Sequence, residues 1–142
     1  MLFTFWKLER LPMKDICVEL TDDCLKNLAL IGEILGKSGV NIEGLCITSC
    51  KGRSAIHFMV EDDRTARSAL EDAGIKIREV SEVLVLHKDE MHITGRPGSF
   101  GVICRTFADH GIKISFGYPA ENNRFVFGID NIAKARELLG SL

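Results

Sequence analysis

Apolar residues step by three and four along LALIGEILGKSGVNI, residues 28–42, and again along FGVICRTFADHGIKI, residues 100–114. That spacing predicts one buried helical face in each segment. The two superimpose at an offset of 72 residues, the separation of Gly39 and Gly111. Leu28, Ile31, Leu35, Val40 and Ile42 then fall on Phe100, Ile103, Phe107, Ile112 and Ile114. Each predicted helix ends at its glycine, a residue suited to the left-handed cap, and an alternating strand-like run follows. The chain therefore reads as a diverged repeat.

The order of elements repeats as well. In the first half, the pattern predicts a strand over 16–20, a helix over 25–38 and a hairpin of strands 41–49 and 53–61 around Lys51-Gly52. Asp62 or Asp63 can cap a second helix that Gly74 ends, and residues 75–86 read as a fourth strand. In the second half, MHIT (91–94) reads as a strand, 98–110 as a helix, and 113–119 with 124–129 as a hairpin. Asp130 is placed to cap a last helix ending at Gly140. Each half is β-α-β-β-α-β, an α+β fold of two ferredoxin-like repeats.

The second repeat reaches Leu142 with no length for its last strand, so that strand is absent or borrowed. The stretch 75–94 and the N-terminal LFTFWKL are the candidate lenders. The expected organisation is an N-terminal extension over 1–13, one domain over 14–88 and a second over 89–142. Met13 is an alternative start, because the repeat pattern begins only near Lys14. Neither half is large enough to be comfortably stable alone, so the two are expected to pack together.

Composition adds mainly exclusions. With 46% hydrophobic and 27% charged residues, the chain of 142 has ordinary globular content. A formal net charge of −2 from interspersed acids and bases gives no footprint for nucleic acid. No apolar run has the length of a membrane span, and MLFTFW is too short for a secretory core, so a cytoplasmic protein is expected. Five cysteines, at 17, 24, 46, 50 and 104, form no dense framework and read as reduced, mostly structural thiols.

The candidate chemistry sits in GRPGSF, residues 95–100, at the entrance of the second repeat's first helix. A helix start carries unpaired N–H groups and a positive dipole end, which together attract a carboxylate or phosphate. Glycine lets a ligand approach bare backbone, proline has no N–H to waste at a first helical position, and Arg96 adds a fork of donors. Helix entrances of this composition also arise simply because they start helices well.

Strand, GRPGSF, amphipathic helix and HGIKI, together with SGVNI (38–42) in the first half, resemble the ACT domain, and the repeated element order extends the likeness to a tandem ACT-domain protein. The resemblance implies regulatory binding of a free amino acid at a domain interface, with no cofactor and no catalysis. It also implies a homodimer that a regulated enzyme or transcription regulator reads. Carried over residue by residue, it assigns ligand binding to Gly95, Arg96, Pro97, Gly98, Ser99 and Phe100. Asn41 and Ile42 follow from the other repeat, and Asp22 or Asp23 would meet the ligand's ammonium. The pattern is split: Gly95 stands where the family has an acid, Lys113 where it has asparagine, and the first half has Cys24-Leu25-Lys26-Asn27 in place of the Arg-Pro-Gly turn.

Rival readings have less support. Cys46 and Cys50 with His57 lack the spacing and the fourth ligand of a structural zinc site, so no metal is expected. KGRSAIHF (51–58) carries Arg53 and Ala55 where an RNA-binding strand needs stacking aromatics. The histidines at 57, 87, 92 and 110 have no obvious acid or nucleophile partner in sequence and read as surface or satisfied core residues. No nucleophile elbow, HExxH, phosphate loop or dinucleotide fingerprint is present. The remaining alternatives are a ligand-free interaction module and, more remotely, an enzyme using the hairpin cysteines.

Overall fold

A computed structural model describes residues 12–21, 24–88 and 95–142. Among them are seven strands and four helices, and the chain divides between Glu82 and Val83 into two compact units. The first contains β1 (Lys14–Leu20), α1 (Cys24–Lys37), β2 (Gly44–Cys50), β3 (Arg53–Val60), α2 (Asp63–Asp72) and β4 (Glu79–Glu82). The second contains β5 (Leu84–His87), α3 (Ser99–Asp109), β6 (Ile114–Ala120), β7 (Arg124–Ile129) and α4 (Ile132–Gly140).

In the first unit all pairings are antiparallel. β1 lies between β3 and β4, with Ile16 opposite Phe58 on one side and Val80 on the other, and β2 flanks β3. Strand alternation sends Ile16, Val18, Ile56, Phe58 and Val60 to one face. There they meet Ile31 and Leu35 of α1 and Ala66 and Leu70 of α2 in one buried cluster. In the second unit β7 lies between β5 and β6, both antiparallel to it. Leu84, Leu86 and Phe127 join Ile103 and Phe107 of α3 and Ala135 of α4 in its core.

The helical stripes read from the sequence are the buried faces. Ile31 and Ile103, Leu35 and Phe107, and Val40 and Ile112 are all buried, pair by pair across the repeat. The helix exits match too. Val40 N–H donates to Leu35 O at 2.9 Å and Ile112 N–H to Phe107 O at 3.0 Å, the long bond of a Schellman cap, with Gly39 and Gly111 both left-handed.

Two expectations change. The single strand over 75–86 is two strands: Glu79–Glu82 pairs with β1, and Leu84–His87 pairs with β7 of the second unit. IREVSEVLVL contains no glycine, proline, asparagine or aspartate to mark a break at Val83, so pattern alone does not reveal the change of partner. The expected strand MHIT (91–94) lies outside the described residues. The final helix is capped by Asn131, whose Oδ1 accepts from Lys134 N at 3.0 Å, while Asp130 Oδ1 instead accepts from Lys113 N at 2.9 Å. Gly140 is that helix's last residue and Ser141 its C-cap.

Candidate ligand-binding site

The GRPGSF segment is a turn followed by a helix, and the proline belongs to the turn. Ser99 N–H donates to Arg96 O at 3.1 Å, closing a four-residue turn with Pro97 second and Gly98 third. Gly98 has φ 84° and ψ −7°, the left-handed geometry that a type II turn requires at that position. The helix thus starts at Ser99 and not at Pro97: the proline's fixed φ suits the turn as well as it suits a first helical position. Gly95 is left-handed as well, at φ 80°. Among the described residues, chain neighbours aside, no atom stands within 4 Å of where a Cβ would sit on Gly95 or Gly98, so backbone conformation, and not crowding, requires glycine here.

Beyond Ser99, whose N–H is taken by the turn, helix α3 starts without a side-chain cap. The first N–H groups of a helix have no intrahelical acceptor, and Gly98 as N-cap has no side chain to supply one. The turn borders a pocket of about 680 Å³ in the second unit. Gly95, Arg96, Pro97, Ser99 and Phe100 line it from the turn and the first turn of α3, and Gly98 sits between them in the chain. The sequence-nominated residues of this repeat are thus brought together. Leu86, Lys88, Ile103, Pro119 and Phe125 complete the wall.

The wall is apolar for a structural reason. Leu86, near the end of β5, and Ile103 of α3 are buried core residues that back the pocket. Phe125 is the second residue of β7, after a tight turn in which Asn122 and Asn123 both take positive φ and Arg124 Nε donates to Glu121 O at 2.7 Å. Phe100 lies edge-on to Phe125, with ring centroids 5.0 Å apart, and stacks at 6.0 Å on Phe127. It remains 49% exposed, although its repeat partner Leu28 packs against the first core. The charged residues in the lining are Lys88 and Arg96; no carboxylate is among its described residues. With the helix dipole added, the polar end favours an anion.

The other nominated residues lie in the first unit. Asn41 is exposed and Ile42 packs against the first core. Asp22 and Asp23 fall outside the described residues. Near the end of β1, Glu19, Thr21, Arg53, Lys76 and Arg78 line a smaller cleft of about 410 Å³. Glu19 bridges two of its cations, at 2.7 Å from Arg53 and 3.0 Å from Arg78.

A side-chain row that sequence reasoning missed crosses the face of β1 and β3 away from the helices. His57 Nδ1–H donates to Asp15 Oδ2 at 2.8 Å, because a carboxylate can only accept. His57 Nε2 faces Cys17 Sγ at 3.7 Å. Thiol, imidazole and carboxylate stand in the order of a nucleophilic triad. Cys17 is only 6% exposed, however, and burial, with Asp15 adding to it, pushes its thiol above the usual range. A protonated, inaccessible thiol is a poor nucleophile, so the row satisfies buried polar groups instead. Among the described residues no group of three His, Cys, Asp or Glu side chains could hold a metal ion, and all five cysteines are free. None of the described helices is long and apolar enough to cross a membrane.

No family model matches the sequence, and no curated protein matches it at significant similarity. Solved structures do match. The regulatory subunit of aspartate kinase from Thermus thermophilus superimposes with a TM-score of 0.68 at 17% identity, over 92% of this chain and 90% of that one. Its Thermus flavus counterpart gives 0.67 at 18%, over the same shares. A protein from Bacteroides thetaiotaomicron gives 0.68 at 23%, over 91% and 85%. The chain therefore has the fold of regulatory, ACT-domain proteins.

Proposed function

We propose that this protein is a stand-alone, non-catalytic regulator that binds a small amino acid against the Gly95–Phe100 turn. Its two units are read as two ACT-like domains of ferredoxin-like plan, the second lacking or borrowing its last strand. Acting in the cytoplasm as a homodimer, it passes its ligand state to an enzyme or a transcription regulator. The observation that carries this reading is the pocket at the turn, where bare N–H donors and Arg96 border an apolar wall. The ligand's carboxylate meets those donors and its side chain the wall. Asn41, Ile42 and one of Asp22 and Asp23 remain the residues proposed to complete the site. A ligand that prefers one arrangement of domains shifts its population, and the partner reads the shift.

Thermal unfolding of the full chain with each of the twenty amino acids tests this. Ligand at a hundred times its Kd adds about 2.7 kcal/mol of stability, enough to raise Tm visibly. A flat response to every amino acid at millimolar concentration sinks the reading. The second reading, a ligand-free interaction module, is favoured by exposed apolar side chains on the first unit: Leu25 at 77%, Ile47 at 41% and Leu45 at 38%. It expects that flat response together with retained self-association.

A further inference from the structure

We infer that the pocket of the second unit selects its ligand by an apolar side chain, taking carboxylic acids that carry an aromatic or branched aliphatic group. This rests on the reading of that pocket as an amino-acid site. Among the described lining residues, the polar side chains are at the strand end and the turn, on Lys88, Arg96 and Ser99. The remaining wall is built by Leu86, Ile103, Pro119 and two phenylalanines. Once the ligand carboxylate occupies the donors at the start of α3, its side chain meets a described wall that is mainly hydrocarbon.

A basic side chain lying there would lose its water and find no carboxylate among the described lining residues. An acidic or hydroxylated one would be desolvated against Phe100 and Phe125 without a matching donor on those rings. An aromatic or branched side chain loses nothing polar and covers ring surface that now faces solvent. Phe100 is the telling residue. Its repeat partner Leu28 packs on a core, whereas Phe100 stays half exposed beside Phe125, leaving apolar surface for a ligand to bury.

Calorimetric titration of the full chain with L-phenylalanine, L-leucine, L-threonine, L-lysine and L-aspartate provides the test. Phenylalanine or leucine is expected to bind at least ~10-fold more tightly than the other three, the scale set by a few methylene groups in a hydrophobic pocket. Phe100→Ser changes a half-exposed side chain and should erase that preference while the chain stays folded by circular dichroism. Phe125→Ala should do the same if it folds. Threonine, lysine or aspartate binding as tightly as phenylalanine and leucine overturns the inference but leaves the amino-acid reading standing. An unaltered preference in Phe100→Ser also overturns it. Failure of all five to bind, when the full panel also gives no thermal shift, overturns both.

Discussion

The end of the first strand is used differently in the two units. In the first unit, Glu19 of β1 lies beside Arg53, Lys76 and Arg78, and two of those cations are paired to it. In the second unit, the place beyond β5 is an apolar pocket whose lining has cations but no carboxylate among the described residues. Its turn holds two left-handed glycines. The buried positions of the two helix stripes, Ile31 and Ile103, Leu35 and Phe107, Val40 and Ile112, remain matched. Core positions have thus kept their character while the neighbourhood of the first strand–helix connection has not. A packed interior restricts volume and polarity at every position, whereas a surface cleft is free to become a charge network in one copy and a hydrocarbon wall in the other. In the second, helix α3 starts without a side-chain cap beside apolar surface, which is why the proposed ligand is placed there.

The largest expected effect comes from the aromatic cluster that supports the pocket. Phe127 is 1% exposed and contacts Phe100, Phe107 and Phe125. Phe127→Ala should cost about 3–5 kcal/mol, from lost burial and the cavity left behind. Urea unfolding followed by circular dichroism measures it. Phe58→Ala, also fully buried, sets the same scale for the first unit. A loss below ~1 kcal/mol for Phe127→Ala would mean that the second unit does not depend on its aromatic cluster, and the pocket would lose its rigid floor.

A smaller effect separates two glycines three residues apart. Gly98 has φ 84°, a conformation strongly unfavourable for a β-branched residue, so Gly98→Val should destabilise by about 1–3 kcal/mol. Gly101 lies inside α3 with ordinary φ and open space where a Cβ would stand. Gly101→Ala should therefore stabilise, by about 0.4–1 kcal/mol, chiefly by reducing the freedom of the unfolded chain. The opposite signs are the prediction, read from the two Tm values. Gly98→Val as stable as the parent would show that the turn is not held in its type II form.

The sequence made the helix faces legible because their information is local. A period of 3.6 puts Ile103 and Phe107 on one side whatever they pack against, and both are core residues. It left open what depends on distant partners. Residues 79–82 and 84–87 look like one strand, and only their pairings with β1 and β7 divide them. Asp15 and His57 are 42 positions apart, and register alone brings them together. Near misses arose where two residues could serve one role. Asp130 and Asn131 are both good caps, and Pro97 fits a helix start or a type II turn equally well. At the site itself, GRPGSF signalled the donors, whereas the apolar wall is contributed by residues as far apart as Leu86 and Phe125.

The smallest expected effect tests the charged side of the comparison. Glu19→Gln removes the carboxylate that joins Arg53 and Arg78, whose side chains are 68% and 60% exposed. Exposed ion pairs contribute little, because water already solvates both charges and salt screens them, so the stability change should stay below ~1 kcal/mol. It should shrink further as salt is raised toward molar concentrations. Charge is the larger consequence: Arg53, Lys76 and Arg78 then share a cleft with no carboxylate among its described lining residues. Added sulfate should stabilise the Glu19→Gln chain more than the parent, since an anion bound to the folded form raises Tm by mass action. The same sulfate response in both chains would mean that Glu19 does not neutralise the cleft, and the contrast between a charged first cleft and an apolar second pocket would fail.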